Sequence, residues 1–553
     1  MSRTIEPEEG LDETIPFDAR HAWEVQSEAE GEQGSGMDFR DAFEFDPRSV
    51  QTSRWTRAST YLRVLEENIF KVDFLSRLNH VHMKGLAIVT DYSGAGSPEL
   101  AAANIDGALR KHRAQCAMHT PAPLVRCLRA CEVLPGAREV LRRHGIFAPE
   151  CVFTDMHHRQ PMSLHKKVSA IMNKFNQKAR GQVWQGCDRH EVIQMNGQKA
   201  FAEVMKAAFD YDAHPSAKRF HCETHDQSCS FHRTVSSEVL TTCIAGVLCQ
   251  SFSNVGSRDC LLAENSTHLL SLFLRERREQ QEDIVIVECT TRFDRYVLSF
   301  LSDIYHISDM EVSPHQLGCG CSRPRMYALC LLKSRLQWHP AIENDPRRAF
   351  FALFTIVKAA EITPPRAFFH APARVVAEYV TKLAKKRRMA PRKRSGQPWS
   401  WYQVATPAER ARVKCYERRI VRAGHFKKTA NKYYDINHNA WHFVFSSRIP
   451  TLLRTSKCVS NLARRAMIPG EIAETLGFGP VWLHDDFAPT DPAADHGPDP
   501  HAIDQAERSP LLDWLRRGDF EDSEIRKLFG NSIHNTVMQA VLLFVWACSV
   551  PAE

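Results

Sequence analysis

"GLAIVTDYSGAGSPELAAANIDGALRKH", Gly85 to His112, is the stretch that decides the fold. Leu86 to Val89 is an apolar run of strand length, too short for a helix. Gly94 and Gly96 let the chain turn sharply after it, and the residues from Ser97 onward carry a helical pattern. Strand, glycine turn and helix make a βα unit, and the same alternation recurs downstream. "VRCLRACEVLPGAREVLRRHG" predicts a strand ending near Glu132 and a helix from about Gly136 to Arg143. "CVFTDM" predicts a strand closing at Asp155, "VLTTCIAGVLC" one closing at Cys249, and "DIVIVECT" one closing at Glu288. Strands alternating with helices imply an α/β fold with a mostly parallel sheet. In such sheets ligands sit beyond the carboxyl ends of the strands, and here each strand ends on a polar or reactive residue.

Composition bounds what this sheet can belong to. The chain has 553 residues, 43% hydrophobic and 25% charged, which is ordinary for a globular protein with material for one large or two smaller domains. No apolar run reaches the roughly 18 to 20 residues that span a bilayer. The nearest, Val537 to Val550, contains Gln539 and reads as a buried core helix; no membrane is expected, and the start has no apolar signal core. Seventeen cysteines without a secretory signal or a regular framework suggest reduced thiols in the cytosol or nucleus.

Charge is unevenly placed. Residues 1–50 hold 14 acidic and 4 basic residues, a net of −10 against +7 for the whole chain, so the remainder carries +17. The acidic head, residues 1–55, has few periodic apolar positions and reads as disordered, while the basic remainder calls for a polyanion. The densest basic run is Lys382 to Arg394, with eight Lys or Arg and no acid, including Lys385, Lys386, Arg387, Arg388, Arg392, Lys393 and Arg394. Trp399, Trp401 and Tyr402 follow it. Basic residues beside aromatics suit phosphate contact and stacking on bases, and also nuclear import; the alternative is a solvated loop that keeps the protein soluble. A second cluster spans Glu417 to Tyr434.

Taken in order, "DYSGAGS", "ACEVL", "FTDM", "AGVLCQSFSNVG", "VIVECT", "GCGCSRPRMYAL" and "KLFGNSIHNTV" resemble the C5-cytosine DNA methyltransferase family, over roughly residues 80–333 and 454–550. The resemblance implies an S-adenosylmethionine-dependent methyltransferase fold, a Rossmann-like, mostly parallel sheet with an inserted smaller target-recognition domain. It implies a catalytic domain over 56–333 with an insertion at about 157–236, a basic target-recognition region over 334–453, and a final part, 454–553, returning to the catalytic domain. Double-stranded DNA is the implied partner and the nucleus the implied location. Two other readings are an RNA cytosine methyltransferase on the same scaffold and a catalytically silent DNA-binding homologue.

The family's chemistry assigns roles. Cytosine C5 is too electron-poor to take a methyl cation equivalent until a nucleophile adds to C6, and the thiolate of Cys249 would do this. Glu288 would protonate N3 of the base, which needs a carboxyl with a raised pKa, and Arg323 and Arg325 would orient the base. Tyr92, Ser93, Gly94 and Gly96 would line the cofactor; Glu132 would accept from the ribose hydroxyls, Asp155 from the adenine amino group, and Asn531 and Ser532 after Gly530 would return to the methionine end. A helix-start carboxylate is the other reading of Glu132. Gln250 and Ser253 would meet DNA beside the nucleophile, and the target base must leave the duplex to reach it.

Several positions depart from the family. Leu248 stands where proline precedes the nucleophile, Cys289 and Thr290 where Asn-Val follows the glutamate, Cys321 where glutamine precedes the first arginine, and Thr90 where the acidic residue of the first motif belongs, with Asp91 one residue late. Because two of these changes fall where the segments should touch, they are expected to compensate one another. Finally, Cys222, His225, Cys229 and His232 in "HCETHDQSCSFH" are zinc-capable residues, but gaps of two, three and two are not a standard finger spacing. Ordinary loop residues are the weightier reading there.

Overall fold

Helices α1 (Arg57–Glu66) and α2 (Phe74–Lys84) lead into β1 (Leu86–Asp91), all six residues of which are buried. α3 (Ser97–Gln115) carries the chain to β2 (Val125–Cys131), and α4 (Pro135–Arg142) carries it to β3 (Cys151–Phe153). An insertion follows: two long helices, α5 (Met162–Trp184) and α6 (Arg189–Ala208), and a hairpin of β4 (Arg219–Cys222) and β5 (Gln227–Ser230). The main fold resumes with β6 (Leu240–Gly246), α7 (Glu264–Gln280), β7 (Ile284–Cys289), β8 (Tyr305–Val312) and β9 (Arg325–Leu332). This computed structural model describes residues 57–116, 125–143, 148–185, 187–215, 217–231, 235–247, 251–252, 259–354, 365–369, 371, 373–388, 401–422, 432–437, 445–453, 455–461, 463–478, 521–530 and 532–552. The acidic head lies outside them.

These strands form one sheet in the order β5-β4-β3-β2-β1-β6-β7-β9-β8. β3, β2, β1, β6 and β7 run parallel, and β9 is antiparallel to both of its neighbours, β7 and β8. With the inserted hairpin set aside, the order is 3-2-1-4-5-7-6 with the seventh strand reversed, which is the sheet of S-adenosylmethionine-dependent methyltransferases. The order changes direction at β1, flanked by β2 on one side and β6 on the other, so the crevice at the carboxyl ends of these strands is the topological switch point where ligands bind.

Beyond β9 the chain forms β10 (Leu336–Trp338) and α8 (Pro346–Phe354), then a smaller domain. That domain contains α9 (Ala373–Lys386), α10 (Trp401–Val404), α11 (Pro407–Arg422) and a four-stranded sheet, β12-β11-β13-β14, built from β11 (Tyr433–Asp435), β12 (Phe445–Ser446), β13 (Cys458–Ser460) and β14 (Arg465–Ala466). The chain returns through α12 (Pro469–Thr475), α13 (Asp522–Gly530), α14 (Asn535–Cys548) and β15 (Ser549–Pro551). The boundaries differ from 334–453 at both ends. β10 pairs with β15, and Phe350 and Phe354 of α8 lie in the main core, whereas β13 and β14 complete the smaller sheet.

α14 explains how the ends of the chain are held. Its sequence, NTVMQAVLLFVWAC, is apolar on every face, and every residue is buried, as expected of a helix enclosed by others. It packs in the same core as α1, α2 and α3, and the Trp546 indole Nε1 donates to Thr242 Oγ1 on β6 at 3.0 Å. The last turns expected of this helix are instead β15, which seals the edge of β10.

Candidate active site

The crevice is built by the turn after β1. Tyr92, Gly94 and Gly96 all have positive φ, at 58°, 58° and 78°, a region that glycine occupies without cost and a tyrosine does not. Gly96 is the residue before α3, whose first turn contains Pro98. Because β2 lies parallel beside β1, its end meets this turn: Ser93 N donates to Cys131 O at 3.3 Å and Gly94 N to Glu132 Oε2 at 2.9 Å. The other carboxylate oxygen of Glu132 accepts from Leu134 N, also at 2.9 Å, at the start of α4. Glu132 is buried, and its carboxylate bridges the glycine turn and the residue before α4. Burial pushes its carboxyl pKa up, against the backbone N–H groups of Leu134 and Gly94. A carboxylate offers about four acceptor positions, so two remain for the hydroxyls of a ribose. The residues present thus fit an adenosyl cofactor.

The remaining cofactor candidates gather with differing directness. Ser532 Oγ accepts from Ala95 N at 3.4 Å, and Asn535 Nδ2 donates to Ser97 O at 3.0 Å, so the late segment clasps the glycine turn from above. Asn531 lies outside the described residues. Asp155 is half-buried just past β3, and its carboxylate accepts from His157 N at 2.9 Å, capping a short 3-10 turn. The Tyr92 hydroxyl donates to Leu269 O on α7 at 3.4 Å.

Thr90 and Asp91, the shifted pair of the first motif, go to different environments. Thr90 bonds Ser93 Oγ at 2.7 Å and the carboxyl of Glu99, which burial raises to a pKa of about 7. Asp91 is fully buried among arginines: Arg129 Nη1 at 2.9 Å, Arg159 Nη2 at 3.4 Å and Arg277 Nη1 at 3.5 Å. Burial alone would raise its pKa, but the three guanidiniums reverse that and hold it well below the usual carboxylate range. Sequence inspection missed this network because its members come from β1, β2, the turn after β3 and α7. A charged residue inside each apolar strand pattern was the only signal.

The remaining candidate residues lie at β6 and β7. Gly246 pairs with Glu288, and Val247 N donates to Glu288 O at 3.1 Å. A Cβ on Gly246 would lie 3.3 Å from Tyr92 O and 3.5 Å from Ile533 Cδ1, so the end of β6 packs between the glycine turn and the late segment. Leu248, Cys249, Gln250 and Ser253 lie outside the described residues. Cys289, where the resemblance implies asparagine, directs its Sγ at Val247 O at 3.9 Å, beside the position of Leu248 in the sequence. Glu288 is buried and ion-paired with Arg325 Nε at 3.1 Å. Burial raises its pKa, opposed by Arg325 and, more weakly, Arg323.

Arg323 does not sit as expected of a base-orienting residue. It is 4% exposed, and its guanidinium donates to Leu452 O at 2.7 Å, Ser532 O at 2.9 Å and Gly530 O at 3.3 Å. It is a positioning residue that ties the late segment to the connection between β12 and β13 of the smaller domain. Cys321, two residues earlier, packs its Sγ 3.4 Å from His534 Nε2 and 3.5 Å from Thr475 O, within the same junction.

No family model matches the chain, and no curated protein matches it. Solved structures do. The Dnmt2 methyltransferase of S. pombe is 11% identical, with a TM-score of 0.36, covering 83% of this chain and 97% of that one. The Entamoeba histolytica methyltransferase EhMeth is 10% identical, with a TM-score of 0.34, covering 83% and 98%.

The basic run divides on inspection. Lys385, Lys386 and Arg388 are exposed, with Lys386 Nζ 2.6 Å from Glu521. Arg387 is a correction: its guanidinium forms a two-pronged pair with Glu409 at 2.8 and 2.9 Å and also reaches Val404 O, binding α9 to α11 inside the smaller domain. Trp401 is likewise core, 4% exposed, and Tyr402 donates to Glu417 at 2.8 Å, because the amphipathic helices of this domain need large apolar residues on their inner faces. Arg392, Lys393, Arg394 and Trp399 lie outside the described residues.

In the insertion, Cys222, His225 and Cys229 do come together. Their fourth neighbour is Cys151, at the start of β3, and the four potential ligand atoms lie within 4.8 Å of one another. His232 lies outside the described residues. Cys151 escaped the sequence pattern because it stands 71 positions before Cys222, brought close only by the pairing of β3 with β4.

Proposed function

We propose that the chain is an S-adenosylmethionine-dependent DNA (cytosine-5)-methyltransferase. The observation that carries the reading is the placement of Glu288. Its buried, arginine-paired carboxyl stands at the end of β7, and its register partner Gly246 lies against the glycine turn that Glu132 contacts. β1, β6 and β7 are neighbours in the sheet, so the acid and the glycine turn lie at the same ends of adjacent strands, and the sequence puts Cys249 three residues after Gly246.

The residues act in sequence. Glu132, the glycine turn and Ser532 would hold the adenosylmethionine, which would supply an electrophilic methyl group. Glu288, whose pKa burial raises, would hydrogen-bond and protonate N3 of a cytosine turned out of the helix, and Arg325 holds that carboxyl in place. Protonation makes C6 electrophilic, and the Cys249 thiolate adds there, so electron density reaches C5. After methyl transfer the C5 proton would pass to solvent as the C6–S bond breaks and the thiolate departs. Turning the base out costs a few kcal/mol, which the exposed Lys385, Lys386 and Arg388 and the adjacent Arg392, Lys393 and Arg394 help to repay through phosphate contacts. A nuclear location accords with this basic run.

The reading is tested with labelled adenosylmethionine offered to duplex DNA and to structured RNA. Label is expected at C5 of cytosine in the duplex, with binding that weakens by about 0.9 decades per decade of salt for each phosphate neutralised. Transfer to RNA alone, or affinity indifferent to salt, would overturn the assignment of substrate.

A further inference from the structure

We propose that Cys151, Cys222, His225 and Cys229 form a structural zinc site that fastens the inserted hairpin to the edge of the main sheet. The distances carry it. His225 Nδ1 lies 3.6 Å from Cys151 Sγ, 3.5 Å from Cys222 Sγ and 3.4 Å from Cys229 Sγ. In a tetrahedral zinc centre with Zn–S of about 2.3 Å and Zn–N of about 2.0 to 2.1 Å, the sulfur-to-nitrogen edge is about 3.5 Å. All three observed edges match it.

The surroundings suit a closed, structural centre. Cys151 and Cys222 are buried, Cys229 is half-buried and His225 is exposed, so the ring reaches in through Nδ1 from the hairpin turn. Four protein ligands leave no open position for a substrate. The hairpin also needs such a staple. Its strands meet the main sheet through a single residue pair, Phe153 with Cys222, supplemented by Glu223 N to Val152 O at 2.9 Å and Val152 N to Thr224 Oγ1 at 3.1 Å. Cys222 is its only fully buried strand residue, and an isolated two-stranded hairpin is marginal in water. Phe231, packed under the guanidiniums of Arg129 and Arg159 at 3.9 and 4.0 Å, anchors its far end. Zinc binding takes three thiols to thiolates and releases their protons to solvent.

The staple reaches the crevice. Glu223, next to the ligand Cys222, pairs with Arg138 Nε at 2.8 Å, and Arg138 Nη1 donates to Glu132 O at 3.1 Å and Val133 O at 2.6 Å. Metal loss should therefore loosen the backbone of Glu132 and weaken cofactor binding, a consequence that rests on the proposed function.

The site itself is tested without any activity measurement. Full-length protein purified under reducing conditions is expected to hold one zinc per chain, and X-ray absorption at the zinc edge is expected to show three sulfurs at about 2.3 Å and one nitrogen at about 2.0 to 2.1 Å. Cys151→Ser should lower zinc to under a tenth per chain on the scale of the 10- to 100-fold losses seen even for outer-shell changes, and His232→Ala should leave it unchanged. If Cys151→Ser does not fold, the absorption spectrum of the unaltered protein still decides. Folded protein without zinc, or a centre of two sulfurs and two nitrogens, would overturn the proposal. Zinc present in a chain that transfers no methyl groups would instead count against the proposed function alone.

Discussion

Glu288→Gln is expected to lower the methyl-transfer kcat by roughly 10²- to 10⁴-fold, the usual contribution of a positioned general acid, while adenosylmethionine binds as before. Glutamine keeps the size of the side chain and can still hydrogen-bond, but it has no proton to give N3. The proposed cofactor contacts, Glu132 and the glycine turn, follow β2 and β1, neither of which pairs with β7, so binding measured by calorimetry should not move. The pH profile adds a second readout. Burial raises the pKa of Glu288, so the acid form persists to higher pH than in a free glutamate, and kcat should fall as pH rises through that raised value. The variant should lose that alkaline limb. Arg325→Met acts in the opposite direction on the same group: without the guanidinium 3.1 Å away the carboxyl pKa rises further, and the limb moves to higher pH. A Glu288→Gln enzyme with ordinary turnover would show that protonation at this position is not part of the reaction.

Arg323→Ala is expected to lower stability by at least about 1 to 3 kcal/mol, the cost of leaving a buried polar group without its partner. Three carbonyls, of Leu452, Gly530 and Ser532, would lose their donor inside the protein. Because Ser532 Oγ accepts from Ala95 N, the loss should pass to the cofactor turn, and adenosylmethionine affinity should drop along with the unfolding midpoint. Arg323→Lys should recover only part of either, since an ammonium cannot reach three carbonyls in the fixed plane of a guanidinium. Denaturant unfolding followed with and without cofactor measures both effects. A midpoint unchanged by Arg323→Ala would mean that the late segment is held by other contacts.

Much of the sheet was legible because its strands are short apolar runs closed by turn residues. β1, β2 and β7 fall where the sequence places them, and the helix after "EVLPG" runs over Pro135–Arg142, within a residue of expectation. The strand before Cys249 ends earlier, at Gly246, where the chain packs closely between Tyr92 O and Ile533. What sequence could not give was partnership at long range. Arg323 and Arg325 are two residues apart and look equivalent, yet Arg323, in the chain before β9, donates to backbone carbonyls of the late segment, whereas Arg325, the first residue of β9, pairs with Glu288. Arg387 looks like its exposed neighbours, but it falls on the inner side of α9, where Glu409 waits. Cys151 is one cysteine in an unremarkable strand until β4 is laid against β3.

The central claim is that a thiol at Cys249 adds to a cytosine held by Glu288. Duplexes in which 5-fluorocytosine replaces cytosine, incubated with the protein and adenosylmethionine, test it most directly, because fluorine at C5 cannot leave as a proton and elimination stops. The expected product is a covalent protein–DNA adduct, methylated at the base and mapped by mass spectrometry to the peptide containing Cys249, and it should be missing from Cys249→Ala. No adduct at any target context while labelled methyl groups still reach ordinary cytosine, or an adduct on a different cysteine, would contradict the account.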